Sequence, residues 1–162
     1  MYRYLVIGLE STGTRVVSKL LALNLNIISH ESEWDAVDEI NDGVNSVTHR
    51  SMPHGTKGYD RFIPSVGYIE TFDRIIITTR DINVVKISKL KHDNDADSIL
   101  IDNDICTDIL RSVMNTKMCH VFSYESAVML QDSYIENFFH VMGIRARKYI
   151  EFSNENKKYI AE

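Results

Sequence analysis

Cysteine and proline are scarce in this chain. Of its 162 residues two are cysteine, Cys106 and Cys119, and two are proline, Pro53 and Pro64. Two thiols make no disulfide framework, and they lack the spacing of zinc ligands, so they read as reduced, partly buried side chains. Also missing is any apolar run near the roughly 18 residues a membrane helix needs. The opening MYRYLVIGLES turns into a loop too soon for a secretory leader. No membrane partner is expected, and the default compartment is the cytoplasm. Nor is there an excess of positive charge: the net charge is −5. That excludes a general nucleic-acid binder and obliges any anionic ligand to find a local basic pocket. What is present is an ordinary globular composition, 44% apolar and 25% charged, in a length that suits one core.

Short apolar runs alternate with amphipathic stretches. Arg3–Gly8 reads as a buried strand and residues 13–25 as a helix, with Val16, Val17, Leu20, Leu21 and Leu23 along one stripe. Asn26–Ser29 reads as a second short strand. Ser32–Ile40 is a weak helix with Trp34, Val37 and Ile40 on one side, and Ser46–Arg50 is a strand. SMPHGTKGYDRFIPSVGY, residues 51–68, holds both prolines and three glycines and reads as a long binding or lid loop. Phe72–Thr79 is a second buried strand, Asp81–Leu90 a helix, and KHDNDADS a solvated turn. Ile99–Met114 is helical and Cys119–Ser123 a strand. Glu125–Met142 is a helix broken near Gln131-Asp132, with Gly143 as its C-cap. The pattern predicts a single α/β domain over residues 1–152, with three α/β/α layers, a central parallel sheet and a P-loop nucleoside-triphosphate-hydrolase-like topology. Residues 153–162 read as a polar tail that frays. Ligands of such sheets bind at the carboxyl ends of the strands.

One stretch of that order carries chemistry. Tyr4-Leu5-Val6-Ile7-Gly8 leads through Glu10-Ser11-Thr12-Gly13-Thr14-Arg15 into the first helix. Gly8 and Gly13 hold the spacing of the phosphate loop G-x-x-x-x-G-K-[ST], but Thr14 stands at the lysine position and Arg15 at the magnesium-binding hydroxyl. Backbone N–H groups and the helix dipole still favour a phosphate there. Ser11, Thr12 and Thr14 add hydroxyls, and Arg15 adds a charge. The plainer reading is a strand-turn-helix with Ser and Thr as helix caps. Because Arg15 cannot ligate magnesium, metal-dependent ATP chemistry is disfavoured and no metal is expected. Farther on, Arg80 ends the strand Ile75–Thr79 and Ser88 lies eight residues later in the following helix. An arginine fork and a hydroxyl so spaced can converge on one anion.

Together these elements resemble the sulfotransferases that use 3′-phosphoadenosine 5′-phosphosulfate (PAPS). Their 5′-phosphosulfate loop G-F-P-K-[ST]-G-T-T is similar to this chain at Gly8, Thr12, Gly13 and Thr14. Their 3′-phosphate site is an Arg after a central strand with a Ser eight residues on, as at Arg80 and Ser88. Tyr124-Glu125 at a strand end before a helix finishing at Gly143 is a third similar element. The resemblance implies transfer of a sulfuryl group from PAPS to a hydroxyl or amine of a small-molecule or glycan acceptor, without a metal. It implies donor contacts from Ser11, Thr12, Gly13, Thr14, Arg15, Arg80 and Ser88. The family's loop lysine is Ser11 here, and Arg15 or Lys57 is the substitute charge that the sequence offers.

The transfer needs a base, and histidine titrates near neutrality. His49 and His54, in THRSMPHG, are the candidates, and Arg50 would stabilise the sulfuryl oxygens. Glu10 and Glu125 are alternative bases. Family members place a catalytic His or Glu at about this strand end. Two other functions remain: a non-catalytic domain of the same fold that binds a nucleotide or a partner protein, and a small P-loop metabolite kinase. Acceptor identity and oligomeric state are not legible.

Overall fold

The computed structural model describes residues 2–30, 33, 38–56, 59–93 and 96–157, with side chains omitted for 55–61 and 92–102. Strand β1 (Tyr2–Leu9) leads into helix α1 (Thr14–Asn24). Then come β2 (Glu39–Asn41), β3 (Asn45–Met52), β4 (His54–Thr56), β5 (Tyr59–Phe62), α2 (Val66–Ile69) and β6 (Arg74–Thr79). Helices α3 (Ile82–Asp93) and α4 (Ala96–Thr116), strand β7 (Cys119–Ser123), and helices α5 (Tyr124–Leu130) and α6 (Asp132–Val141) complete the order.

The main sheet runs β2-β3-β1-β6-β7. β1 pairs in parallel with β3 and β6, and β6 with β7. β2 is antiparallel to β3, so the sheet is mixed rather than wholly parallel. A parallel neighbour needs a crossover, whereas β2 is joined to β3 by a tight turn whose Asp42 carboxylate accepts from the Val44 and Asn45 N–H groups.

The apolar runs are explained by burial on both faces. In β1, Tyr4 and Val6 face a cluster with α1, α5 and α6, through Leu20, Leu21, Phe138 and Phe139. Leu5 and Ile7 face the opposite cluster, with Phe72, Cys106, Leu110 and Val113. Helices therefore flank both faces of an α/β sheet. At about 25 cal/mol per Å² of apolar area, these two clusters supply the main driving force of the fold. Among the described residues no helix is long and apolar enough to cross a membrane. Cys106 and Cys119 form no disulfide.

Four further expectations differ from the structure. Asn26–Ser29 is a turn: Asn26 adopts φ 58, and Ile27 N–H folds back to the Ala22 carbonyl, so Ile28 packs on α1 instead of joining a sheet. In the proposed helix Ser32–Ile40, residues 39 and 40 are strand, while Trp34 and Val37 lie outside the described residues. The long loop contains the β4–β5 hairpin and α2, whose N-cap is Ser65. In KHDNDADS, expected to be a turn, residues 91–93 end α3 and residues 96–98 begin α4, while residues 94 and 95 lie outside the described residues. The break at Gln131 (φ 46) and the left-handed Gly143 (φ 73) are as expected.

Candidate functional site

Because β1, β3, β6 and β7 run parallel, their carboxyl ends share one edge. Gly8 sits opposite Ser51 and Thr78, and Ser123 opposite Thr79. That edge carries residues 9–13, the segment from His49 to His54, Arg80, and Tyr124-Glu125.

The loop is held by its neighbours rather than by helix caps. Thr12 is 2% exposed; its hydroxyl donates to the Leu9 carbonyl at 2.6 Å and lies 2.7 Å from the Thr78 hydroxyl. Its side chain is thus interior and engaged by Leu9 and Thr78. A Cβ on Gly8 would meet the Thr78 hydroxyl and lie 2.6 Å from the Thr78 carbonyl, so this position demands glycine. Ser11 (φ 67) and Gly13 (φ 87) are both left-handed. Gly13 is the N-cap of α1 and offers no side-chain hydrogen bond, and the first turn holds no acidic residue. The Ser/Thr-capped alternative is therefore not what the chain adopts. Among the described residues, the positive end of this 11-residue helix thus has neither a side-chain cap from its N-cap residue nor an acidic residue in its first turn. Thr14 is 7% exposed and Arg15 is exposed just beyond it.

Arg80 and Ser88 come to this loop. Arg80 Nη1 donates to the Ser11 carbonyl at 2.9 Å, its Nε donates to Asn156 Oδ1 at 2.7 Å, and its guanidinium lies 4.5 Å above the Tyr124 ring. The Ser88 hydroxyl donates to the Ser11 hydroxyl at 3.0 Å. Residues 153–157 are consequently bonded into the edge. Asn156 Nδ2 also donates to Glu125 Oε1, and the Tyr124 hydroxyl to the Ser153 carbonyl. Glu125 accepts from the Asp81 N–H at 2.9 Å, while its own helix is capped by Ser123.

His49, Arg50 and His54 meet at a residue that the sequence reading missed, Asp38. Its Oδ1 is 3.2 Å from His49 Nδ1, and its Oδ2 is 3.1 Å from His54 Nε2 and 3.9 Å from Arg50 Nη1. The Ser51 N–H donates to His54 Nδ1 at 3.2 Å, so neutral His54 carries its proton on Nε2, facing Asp38. Both its nitrogens are thus engaged. The His49 contact is close but makes no hydrogen bond, which leaves Nδ1 buried and unmatched among the described residues. Burial pushes His49 down to about 4; Asp38 opposes that fall, and the nearby charges of His54, Arg15 and Arg50 add to it. Burial alone would raise Asp38, but its hydrogen bond with His54 and the charges of His54, His49 and Arg50 outweigh that and hold the carboxyl below its usual value.

Lys57 lies outside the described residues. Two cavities, of about 460 and 330 Å³, run along α6. One is bounded by Ser133, Glu136, His140 and Arg145, the other by Cys119, His120, Tyr134 and Phe138. Neither is lined by the loop, by His49, Arg50 or His54, or by Arg80 or Ser88. Among the described residues no cluster of His, Cys, Asp or Glu is arranged to hold a metal ion. Compared with protein-family models, curated proteins and solved structures, the chain matches none.

Proposed function

We propose that this chain has a P-loop type topology and is a PAPS-dependent sulfotransferase of the kind it resembles. The observation that carries this reading is the meeting at Ser11: a helix N-terminus without a side-chain cap, an arginine from the next strand end and a serine from the next helix all reach one loop. In the proposed transfer an acceptor oxygen or nitrogen attacks sulfur, and the bond from sulfur to the 5′-phosphate oxygen breaks. The acceptor proton passes to a base, and adenosine 3′,5′-bisphosphate leaves. His49 suits the base better than His54, because both ring nitrogens of His54 are already engaged, Nδ1 by the Ser51 N–H and Nε2 by Asp38. Arg50 stands beside it to face developing negative charge.

The test is ligand stabilisation. A ligand that binds only the folded state raises apparent stability by RT ln(1+[L]/Kd). Adenosine 3′,5′-bisphosphate without magnesium is expected to raise Tm, magnesium-ATP is not, and Arg80→Ala is expected to abolish the shift while keeping the fold. An undiminished shift in that variant would make the Arg80 and Ser88 spacing a coincidence. A second reading, a non-catalytic binding domain, is favoured by one fact: Arg80 is held by Ser11, Asn156 and Tyr124. It expects bisphosphate binding without turnover, or no bisphosphate binding at all.

A further inference from the structure

The loop lacks a lysine, yet a buried lysine adjoins it from another element. Lys89 follows Ser88 on α3. While Ser88 reaches Ser11, the Lys89 Nζ lies 3.5 Å from Oε2 of Glu10, the preceding loop residue. Lys89 is 3% exposed, and its Nζ donates to Asn103 Oδ1 on α4 at 2.8 Å. A buried ammonium loses several kcal/mol of hydration and is kept only where acceptors surround it. Here the carboxylate stands at a long distance and the amide oxygen is neutral.

Asn103 supplies an independent observation. Lysine has only donors, so the carboxamide must turn its oxygen to Nζ. That leaves Asn103 Nδ2, in a side chain 3% exposed, with no acceptor among the described residues. Among the described residues one buried donor beside Lys89 thus lacks an acceptor, and the lysine's own partners are a neutral amide oxygen and a carboxylate at 3.5 Å. Orphaned buried groups in a native fold call for a water, an ion or a ligand.

We propose that Lys89 and Asn103 form an anion subsite for the 5′-phosphosulfate end of the donor, supplying from α3 and α4 the charge that other loops take from their own lysine. This rests on the proposed function, since it assumes that the loop grips that end of a nucleotide. Glu10 is the resident counter-ion, and an incoming anion displaces it from Nζ.

The experiment is calorimetric titration of adenosine 3′,5′-bisphosphate, without magnesium, into the wild type, Lys89→Met, Asn103→Leu and Glu10→Gln, with circular dichroism and Tm as fold controls. Losing a charge-assisted hydrogen bond is expected to weaken binding about 10- to 100-fold in Lys89→Met. Asn103→Leu weakens it less. Glu10→Gln, on the exposed side of the pair, tightens binding several-fold by removing the competitor, and that arm remains informative should Lys89→Met fail to fold. If the wild type binds no bisphosphate, the proposed function falls and the subsite with it. If the wild type binds and all three variants match it within twofold, only the subsite is wrong, and the orphaned Asn103 amide serves a water.

Discussion

Replacing His49 by Gln tests whether the histidine is held neutral by burial at the strand edge. Its pKa falls from 6.5 to about 4 on folding, and the residue is only 4% exposed. The folded value lies below the unfolded one, so the unfolded chain binds the extra proton between those pH values, and stability falls as pH drops through the window. A span of 2.5 pH units at about 1.4 kcal/mol each comes to about 3 kcal/mol, nearly all of it lost between pH 7 and pH 4. His120 is also lowered by burial and adds to the wild-type slope, so only the difference between the two proteins isolates His49. Asp38 is depressed as well, but a lowered carboxylate contributes above its unfolded pKa and is lost only at lower pH. Urea unfolding at half-unit pH steps measures this. The gap between wild type and His49→Gln is expected to close by about 3 kcal/mol, or to reverse, on going from pH 7 to pH 4. Curves that stay parallel across the window would refute the argument, because a histidine titrating alike in both states contributes no pH dependence.

Three further outcomes follow from the same geometry. Gly8→Ala sets a methyl against the Thr78 hydroxyl and 2.6 Å from the Thr78 carbonyl, in backbone that cannot yield without moving β6. Overpacking plus the strained Thr12–Thr78 contact is expected to cost about 3 kcal/mol in chemical denaturation, and a loss under 1 would show that the strand ends adapt. Asn156→Ala removes the acceptor of Arg80 Nε and one donor to Glu125. It is expected to cost about 1 kcal/mol of stability and several-fold in bisphosphate affinity, and unchanged affinity would mean that Arg80 needs no help from residue 156. In the native state a thiol reagent is expected to label Cys119 slowly, since burial raises its pKa, and Cys106 not at all, since it is 0% exposed. Two equally fast native thiols would contradict the buried placement.

The frame was legible where a residue has few physical options. Gly13 is left-handed, Gly8 faces two threonines with no room for a side chain, and Gly143 ends α6. The apolar runs at β1, β6 and β7 became adjacent sheet members. Arg80 and Ser88 were singled out by spacing, and they share Ser11. What was illegible depends on pairing at a distance. Asp38 reaches the histidines because β2 folds back on β3, with the His49 N–H donating to the Asp38 carbonyl at 2.8 Å. A three-residue strand leaves no periodicity to read. Lys89 was hidden by a rule that is usually sound: lysine is almost never fully buried. Residues 153–157 looked like a tail because composition carries no trace of the bond from Arg80 to Asn156.

That bond bears on how the edge would work. Arg80 joins four parts of the chain: β6, which it follows, the loop through Ser11, the start of α5 through Tyr124, and the final segment through Asn156. A guanidinium has five donors, and the Ser11 carbonyl that takes one of them is a neutral acceptor. A phosphate offers a charged, bidentate acceptor and would outcompete the Ser11 carbonyl. Release of that carbonyl, and of the Ser88–Ser11 hydroxyl bond beside it, would alter the loop at the point where its backbone is left-handed. On the proposed reading, Ser11 therefore competes with a 3′-phosphate for the donors of Arg80 and Ser88.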